Sequence, residues 1–409
     1  MNYLYLILIL FIILILLKAY IKIKYKFWAY QPVFHYYNLL YWIYPRGIIN
    51  KELTEVNKFC NFLNITTTEF SERDEKTIKE IADFLGTHYY NTKDAKYIPT
   101  TEAITSYFIG NNDKTFISTY YLMTPIITNK EIQNIKSNVE SKIVPKLLSI
   151  ITTRPLNITL KNDKTFKIYY VDYLCVHTDH RKLGIAPEII QTHEYIQCHK
   201  NKKYQIYLFK REGEITGIVP LTIYNTYQFD ISKISKRPLL HASMKLIEIN
   251  KLNIRLLTTF IHSQKEYFDC FVLPDLSNLI NLINNETYKI YAIIQNDALI
   301  TCYFFRDSHM YYNTLSDDTC SVKCIECFAS ISQYNQNEIF LTGFSMALYK
   351  YSKKLKAKLL NIEKISHNNI IINHLFLLNI LPNFKNPTAY FLYNYAKRPC
   401  ISEKVLLIC

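Results

Sequence analysis

A short turn between an apolar strand and an apolar helix has the residue types of a phosphate-binding site. Residues 170–177 are rich in aromatic and β-branched side chains and predict a buried strand. Residues 186–198 carry isoleucines at helical spacing and predict a helix. The connection, Arg181 to Ala186, reads R-x-x-G-x-A and holds two cations and one glycine. Such a turn directs free backbone N–H groups, a helix dipole and positive charge at one point, which suits a pyrophosphate.

An R-x-x-G-x-A turn between a strand and a helix is the acyl-CoA signature of the acetyltransferase-like folds. The alternative is a plain strand-to-helix connection, because short strings of this kind also occur by chance. The flanking strand and helix favour the acyl-CoA interpretation.

Length and charge set the class of protein. The 409 residues, 49% of them hydrophobic, are enough for one large core or two cores of ordinary domain size. The net charge of +14 is spread along the chain, and no recognised nucleic-acid motif accompanies it. We therefore expect no nucleic-acid partner. Anionic CoA and an anionic membrane face are sufficient partners, and a solvated lysine surface accounts for most of the charge.

The ten cysteines show no regular spacing, which favours free thiols in a reducing compartment over a disulfide framework. Cys320, Cys324 and Cys327 form a C-x3-C-x2-C cluster that could hold zinc. A second ligand pair is not evident in the sequence, so we predict no metal.

The N-terminus predicts a membrane anchor. Residues 3–17 form an uncharged apolar run, somewhat shorter than the about 20 residues of a spanning helix. A signal peptide would have cations before the run and small residues after it, whereas four lysines follow here within residues 18–26. The positive-inside rule then places the body in the cytoplasm, with residues 1–20 as the anchor. A buried core helix is the alternative.

The pattern of apolar residues along the body predicts two successive α+β halves that divide near residue 225. This pattern predicts helices at 53–63 and at 71–85, the latter capped by Ser71, and a charged helix near 130–141. It also predicts a strand-like stretch at 252–261 and a hairpin around Asn296-Asp297.

Four separated stretches, in order from residue 25 to residue 409, share the pattern of one family. YKFWAYQPV (Tyr25–Val33) resembles YKFWxTQPV, and DYLCVHTDHRKLGIAP (Asp172–Pro187) resembles NFLCVHxxLRxKRxAP. AYFLYNY (Ala389–Tyr395) is similar to YYLYNW, and SEKVLLIC (Ser402–Cys409) is similar to AEKVGLVL. The family is glycylpeptide N-tetradecanoyltransferase, or N-myristoyltransferase, and this chain resembles a divergent member.

This resemblance implies a fold and an activity. The fold would be α+β, with two tandem acetyltransferase-like (GNAT-like) halves in a pseudo-two-fold relation, plus the N-terminal apolar helix. Residues 21–225 would bind acyl-CoA, and residues 226–409 would bind the peptide and supply the C-terminal carboxylate. The reaction would transfer a myristoyl group from myristoyl-CoA, a co-substrate, to the N-terminal glycine amine of proteins. No further cofactor is implied.

The resemblance also assigns residues. The backbone N–H groups of Tyr173 and Leu174 would polarise the thioester carbonyl, and the terminal carboxylate of Cys409 would take the proton of the glycine ammonium. The acyl-CoA contacts would be Tyr25, Lys26, Phe27, Trp28, Leu174, Cys175, Val176, Arg181, Lys182, Leu183, Gly184, Ile185 and Ala186.

The chain also departs from the family pattern. Residues 183–184 replace a Lys-Arg pair, and Asp172 replaces an Asn. Of an acidic EDDD-like loop only Asp94 remains; residues 361–364 replace N-A-L-D, and residues 384–386 replace a Gly-Asp-Gly turn. Two alternatives stay open: a protein that binds acyl-CoA or peptide without turnover, and a GNAT-like acyltransferase with another amine acceptor.

Overall fold

The computed structural model describes residues 3–126, 142–161, 165–213, 217–234, 239–314, 317–333 and 337–409. The charged helix predicted near 130–141 lies outside these ranges. The helices are α1 (Tyr3–Lys24), α2 (Leu39–Ile43), α3 (Glu75–His88), α4 (Thr101–Thr105), α5 (Ile185–Lys200), α6 (Ile254–Ser263), α7 (Leu276–Asn284), α8 (Asn337–Leu355) and α9 (Asn368–Leu377). The strands are β1 (Gly47–Ile48), β2 (Ile65–Glu69), β3 (Ala95–Tyr97), β4 (Phe116–Ile126), β5 (Lys142–Leu160), β6 (Phe166–Val176), β7 (Tyr207–Glu212), β8 (Thr222–Asp230), β9 (Met244–Glu248), β10 (Cys270–Leu273), β11 (Tyr288–Gln295), β12 (Ala298–Thr314), β13 (Asp317–Ser332), β14 (Leu359–Glu363), β15 (Phe384–Tyr393), β16 (Tyr395–Ala396) and β17 (Val405–Leu407).

One arrangement of strands and a helix occurs twice, which confirms the predicted α+β fold of two related halves. In the first half β4, β5 and β6 are antiparallel neighbours, and α5 then crosses to β7, which is parallel to β6. In the second half β11, β12 and β13 are antiparallel, and α8 crosses to β14, which is parallel to β13. A parallel neighbour requires such a crossover, so a helix follows the third strand each time.

The two halves share one sheet. Its main path runs β17-β10-β5-β6-β7-β15-β8-β14-β13-β12-β11-β9. Late strands therefore sit among early ones, because β15 lies between β7 and β8, and β17 reaches β5 through β10. The predicted boundary at residue 225 falls inside β8.

The helix predicted at 53–63 is wrong, since this segment is an irregular loop. Two of its polar side chains bond to α5: the Thr54 hydroxyl donates to Glu194 at 2.7 Å, and the Asn61 amide donates to Glu188 at 2.8 Å. Tertiary hydrogen bonds here outweigh a weak local helix preference.

Other local predictions have mixed outcomes. The stretch at 252–261 is helix α6 rather than a strand, with Leu257, Phe260 and Ile261 buried; a short apolar run fits either element. Helix α3 begins after Asp74, whose carboxylate accepts the Thr77 N–H, so Ser71 is not the cap. The hairpin at Asn296-Asp297 is confirmed, and both residues have the positive φ of a tight two-residue turn.

Helix α5 covers β4 and β5 and buries one histidine between them. The His193 ring lies 2.7 Å from Ser118 Oγ and 3.0 Å from Thr153 Oγ1. Burial lowers its pKa from 6.5 to about 3, because neutral hydroxyls do not compensate a buried positive charge.

We predict that His193 makes the fold acid-sensitive. The unfolded chain takes up a proton near pH 6.5 and the folded chain does not, so this contribution to stability is present above pH 6.5 and is lost as the pH falls. Between about pH 7.5 and about pH 5 the loss is about 2 kcal/mol. Denaturant unfolding at both pH values should show a smaller loss for His193→Gln, and an equal loss would contradict the assignment.

Candidate active site

Strand β6 is irregular at the residues that the sequence singled out. Its Val171 pairs with Thr153 of β5, and its Leu174 pairs with Ile151. Asp172 and Tyr173 therefore both stand opposite Thr152, which is a β-bulge. Bulges of this kind are common beside active sites because they redirect backbone and side-chain groups.

At the position of this bulge, β6 separates from β7. Their parallel pairing ends at Val171 and Phe209, although β7 continues beside β15 as far as Glu212. The His177 N–H bonds to the Leu148 oxygen, and the alternation of an antiparallel ladder then puts Leu174 in a non-hydrogen-bonded pair with Ile151. The Leu174 N–H consequently points away from β5, into the gap between β6 and β7.

The backbone N–H groups of Tyr173 and Leu174, which the family resemblance assigned together as oxyanion donors, are not equivalent. The Tyr173 N–H donates to Thr152 Oγ1 at 3.1 Å, so it already has a partner. The Leu174 N–H faces the gap. A ligand atom there meets one available donor directly and the second only after the Thr152 hydroxyl has moved.

Three cavities meet along this part of β6, and Tyr89 and Tyr90 line all three. The central pocket, about 350 Å³, is lined by Asp172, Tyr173, Lys210, Arg306, Glu326 and Cys409, among others. The apolar pocket, about 290 Å³, is lined by Trp28, Ile151, Val171, Leu174, Ile190 and Phe209, with His193 and Glu194. The outer cleft, about 690 Å³, is lined by Leu174, Cys175, Val176, His180, Arg181, Lys182, Gly184, Ile185, Ala186 and Pro187.

The outer cleft ends at the N-terminus of α5. Gly184 precedes the helix with a φ of +89°, a left-handed conformation that glycine adopts without strain. A Cβ on Gly184 would meet nothing within 4 Å, so the space in front of the helix is open. The N–H groups of Ile185 and Ala186 belong to the first turn, which has no intrahelical acceptors, whereas Pro187 has no N–H to offer. This helix end can bind an anion.

Arg181 is only partly available to such an anion. Its guanidinium donates to the His88 oxygen at 2.5 Å and to the Val176 oxygen at 3.3 Å, and so ties the end of α3 to the end of β6. Lys182 is exposed and lines the cleft. Leu183 points outward, with 68% of its surface exposed.

The N-terminal arm contributes one side chain to these cavities. Trp28 stacks on Phe209 at 5.5 Å and lines the apolar pocket. Phe27 is buried against Phe59. Tyr25 and Lys26 precede it on the turn after α1 and are not among the lining residues of the cavities described above.

Cys409 is buried beside a group of charges. Only 4% of it is exposed, and the Ile408 N–H bonds to the Val272 oxygen at 2.9 Å. Arg306 Nη1 donates to the main-chain oxygen of Cys409 at 3.1 Å. Arg306 also contacts Glu326 at 2.6 Å and Glu363 at 3.5 Å. Arg306 therefore connects the last residue of the sequence to two buried carboxyl groups.

These two carboxyl groups have pKa values that differ in direction. Burial opposes ionisation of both, but Arg306 and Lys210 outweigh it at Glu326 and lower that pKa to about 2. Glu363, beside the ionised Glu326, has its pKa raised to about 7 by burial, against the attraction of Lys210 at 3.0 Å. Glu326 is therefore the group that ionises readily, and Glu363 is the group whose ionisation is resisted.

Asp172, on the bulge, forms a second buried pair. Both of its carboxylate oxygens lie 3.0 Å from Arg154 Nε, and the two side chains are 7% and 0% exposed. Burial raises the pKa of Asp172 to about 6, although Arg154 acts in the opposite direction. The Arg154 guanidinium also lies 4.9 Å from the Tyr107 ring and so fixes the wall of the central pocket.

This ionic group is not apparent from the sequence. Arg306, Glu326 and Lys210 lie on three different strands, and no local motif joins them. Glu363 gave one usable signal, because it replaces an apolar residue of the family pattern at a buried strand position. Asn361 keeps the asparagine of the family pattern, whereas the segment 384–386 departs from its Gly-Asp-Gly turn; Asn361, Phe384 and Asn386 all line the central pocket.

The cysteines and possible metal ligands can be reported for the described residues only. Cys324 and Cys327 are buried free thiols, and the side chain of Cys320 lies outside the described part. Within that part, no group of three or more His, Cys, Asp or Glu side chains could hold a metal ion.

We predict that Asp172→Asn lowers the free energy of unfolding by about 3–5 kcal/mol, because it leaves the Arg154 charge buried without a partner. Asp269→Asn is the matched control. Its partner Lys161 is 55% exposed, so its loss should cost about 1 kcal/mol or less. The double variant Arg154→Met/Asp172→Leu should recover most of the stability. Equal effects of the two Asp→Asn changes in denaturant unfolding would contradict the buried pair.

Comparisons with known proteins agree with this geometry. The family model described as myristoyl-CoA:protein N-myristoyltransferase, N-terminal domain, matches residues 49–207. A Saccharomyces cerevisiae N-myristoyltransferase structure with bound myristoyl-CoA is similar at a TM-score of 0.70 and 13% identity, over 95% of each chain. A second, also with myristoyl-CoA, gives 0.68 and 13% over 93% of this chain and 94% of that one. A third, with myristoyl-CoA and inhibitors, gives 0.68 and 15% over 95% of each chain.

No curated protein matches the chain in sequence. The family model and the shared fold nevertheless confirm the resemblance carried by the four sequence stretches. Residues 49–207 therefore resemble the N-terminal domain of N-myristoyltransferase, an acyltransferase, and the chain as a whole shares the fold of the yeast enzymes.

Proposed function

We propose that the protein transfers a myristoyl group from myristoyl-CoA to the N-terminal glycine amine of proteins. The observation that carries this proposal is the arrangement of three cavities along β6. Residues 172–173 line the central pocket, residues 171 and 174 line the apolar pocket, and residues 174–176 line the outer cleft. An acyl-CoA laid along the strand has its thioester at Leu174.

Each part of myristoyl-CoA has a suitable environment. The pyrophosphate would bind at the N-terminus of α5, where the N–H groups of Ile185 and Ala186 and the ammonium of Lys182 offer positive charge. The acyl chain would enter the apolar pocket beside Trp28 and Phe209. The yeast proteins of similar fold were crystallised with this molecule.

The thioester carbonyl would be polarised by the Leu174 N–H, with the Tyr173 N–H as second donor once it leaves Thr152. A backbone donor fixed in a strand costs no reorganisation as the oxyanion forms, and one such donor contributes about 10²–10³-fold to the rate. The substitution of Tyr for the family's Phe at 173 leaves this N–H unchanged.

The terminal carboxylate of Cys409 would act as the base. It accepts a proton from the glycine ammonium, and the resulting amine attacks the thioester carbon. As the C–S bond breaks, the nitrogen gives its second proton to the departing CoA sulfur, so that amide and CoA thiol are the products. Arg306 would hold the carboxylate in place, and Glu326 and Glu363 balance the charge of Arg306. Burial raises the pKa of the Cys409 thiol, so its side chain is a poor nucleophile and has no role in this scheme.

The second half, residues 226–409, would bind the peptide. The peptide side departs most from the family pattern: residues 362–364 and 384–386 have changed in the second half, and in the first half Asp94 alone remains of the acidic loop that would read substrate lysines. The loss motivates a second candidate function, a protein that binds acyl-CoA or peptide without turnover. A GNAT-like enzyme that uses another amine acceptor is the third candidate.

Helix α1 would anchor the protein in a membrane. Residues 5–24 are long and apolar enough to cross one and are almost fully exposed. Its 22 residues span about 33 Å, close to the thickness of a bilayer core. The lysines after residue 17 favour a cytoplasmic position for the body.

We predict that the protein releases CoA from myristoyl-CoA when a glycine-starting peptide is added. The measurement is thiol release, with the same peptide starting in alanine as control. CoA binding without release for any glycine peptide would favour the binding protein. Equal release with acetyl-CoA and a lysine-containing, alanine-starting peptide would favour the other acyltransferase.

We predict that a few residues appended after Cys409 abolish turnover and leave CoA affinity unchanged, because they displace the carboxylate from the central pocket. Cys409→Ala is the matched control and should retain turnover, since it keeps the carboxylate and removes only the thiol. Turnover and CoA binding are measured separately for each variant. Full activity of the extended chain would disprove the assignment of the base.

A further inference from the structure

The N-terminal segment has an unusual charge distribution. Residues 1–51 contain six lysines and arginines and no aspartate or glutamate. Within them, residues 27–45 have no Lys, Arg, Asp or Glu at all. An uncharged stretch with cations on both sides is typical of a segment at a membrane surface.

The structure exposes much of this stretch on one side of the body. Leu40, Ile43 and Tyr44 are 66%, 58% and 75% exposed. Trp42 is half-buried, with its ring 5.0 Å from that of Phe34 and its indole N–H bonded to the Tyr36 oxygen. The aromatic patch is defined as Tyr36, Leu39, Leu40, Trp42, Ile43 and Tyr44.

The patch lies beside the end of α1. Lys18 Nζ is 5.8 Å from the centroid of the Tyr37 ring, so the helix and the patch are neighbours. Ile21 is 2% exposed and packs on Gly217, where a Cβ would come within 2.9 Å of it. This close contact fixes the last turns of α1 to the body and holds the patch next to the anchor.

Cations surround the patch. Arg398 donates to the Ile43 oxygen at 2.7 Å, and Arg46 follows Tyr44 by two residues. Lys18 of α1 lies over the ring of Tyr37, which directly follows Tyr36 of the patch. Positive side chains around exposed aromatic and aliphatic ones match the anionic headgroups and the apolar boundary of a cytoplasmic leaflet.

We propose that the aromatic patch is a second membrane contact, which rests on the surface of the bilayer that receives α1. The occupant is an anionic phospholipid surface, because the patch adjoins a bilayer-length helix and is bordered by cations. This inference rests on the anchoring proposed for α1 and goes beyond it, since an anchoring helix alone does not place the patch on the bilayer surface.

Docking of the aromatic patch on the bilayer also determines where the acylated product is released. Trp28, which lines the apolar pocket, is four residues from the last residue of α1, at most about 14 Å even for extended chain. The apolar pocket is then held beside the bilayer, and the lipidated product is released next to the surface it binds.

The chain has two tryptophans, Trp28 and Trp42, which permits a direct test. The full chain is placed in phosphatidylcholine vesicles with and without phosphatidylserine, with acyl chains brominated near the headgroup. Trp42 should lose most of its emission to the bromines, more so with phosphatidylserine. The quenching should disappear in Trp42→Phe and persist in Trp28→Phe.

Leu40→Glu/Ile43→Glu should abolish the quenching while the chain still resists extraction by alkaline carbonate. Leu252→Glu, at a residue 94% exposed in the second half, is the control and should leave quenching intact. An unquenched Trp42 in a chain that resists extraction overturns the patch alone and indicates that a protein or a second copy covers it. Complete extraction of the full chain overturns the anchor and the patch together.

Discussion

The separation of β6 from β7 is the constraint on which the rest of the site depends. A strand inside a sheet normally bonds on both sides, and an unpaired buried N–H costs as much as a lost hydrogen bond. Beyond Val171 the side of β6 that faces β7 has no strand to bond. The bulge at Asp172 and Tyr173 occurs at that point, and the gap gives a bound ligand room to replace the missing strand. The site is therefore a consequence of an interrupted sheet.

The interruption is stabilised by charges from distant parts of the chain. Asp172, on the bulge, is held by Arg154 from β5, and Arg306 from β12 reaches Cys409. Late strands carry these groups to early ones, because β17 joins the sheet through β10 and β15 lies between β7 and β8. The interlocking of the two halves therefore assembles the central pocket, which neither half forms alone.

How far the sequence predicted this structure depends on the range of the interactions. The strand and helix around Arg181–Ala186 and the Asn296-Asp297 turn follow local rules, and both were predicted. The helix prediction for residues 53–63 was wrong because side chains of this segment bond to α5, more than a hundred residues away in the sequence. The family pattern pointed to Tyr173 and Leu174, but the difference between their N–H groups depends on a pairing register that one strand does not determine.

The ionic group around Arg306 could not be predicted for the same reason. Its members are far apart in sequence and meet only in the folded sheet. A carboxylate such as Glu363 at a buried strand position indicates that a charged partner lies nearby. The spacing of residues in the sequence does not identify that partner. The family resemblance identified where the reaction would take place, and the structure adds which charges surround that place.

The most direct test of the central claim is a crystal structure of the protein with a non-hydrolysable analogue of myristoyl-CoA that keeps the carbonyl group. The account predicts a carbonyl oxygen within hydrogen-bond distance of the Leu174 nitrogen, the acyl chain between β6 and β7 beside Trp28, and the pyrophosphate at the start of α5. An analogue bound with its carbonyl away from Leu174, or with its acyl chain outside the gap, would contradict it.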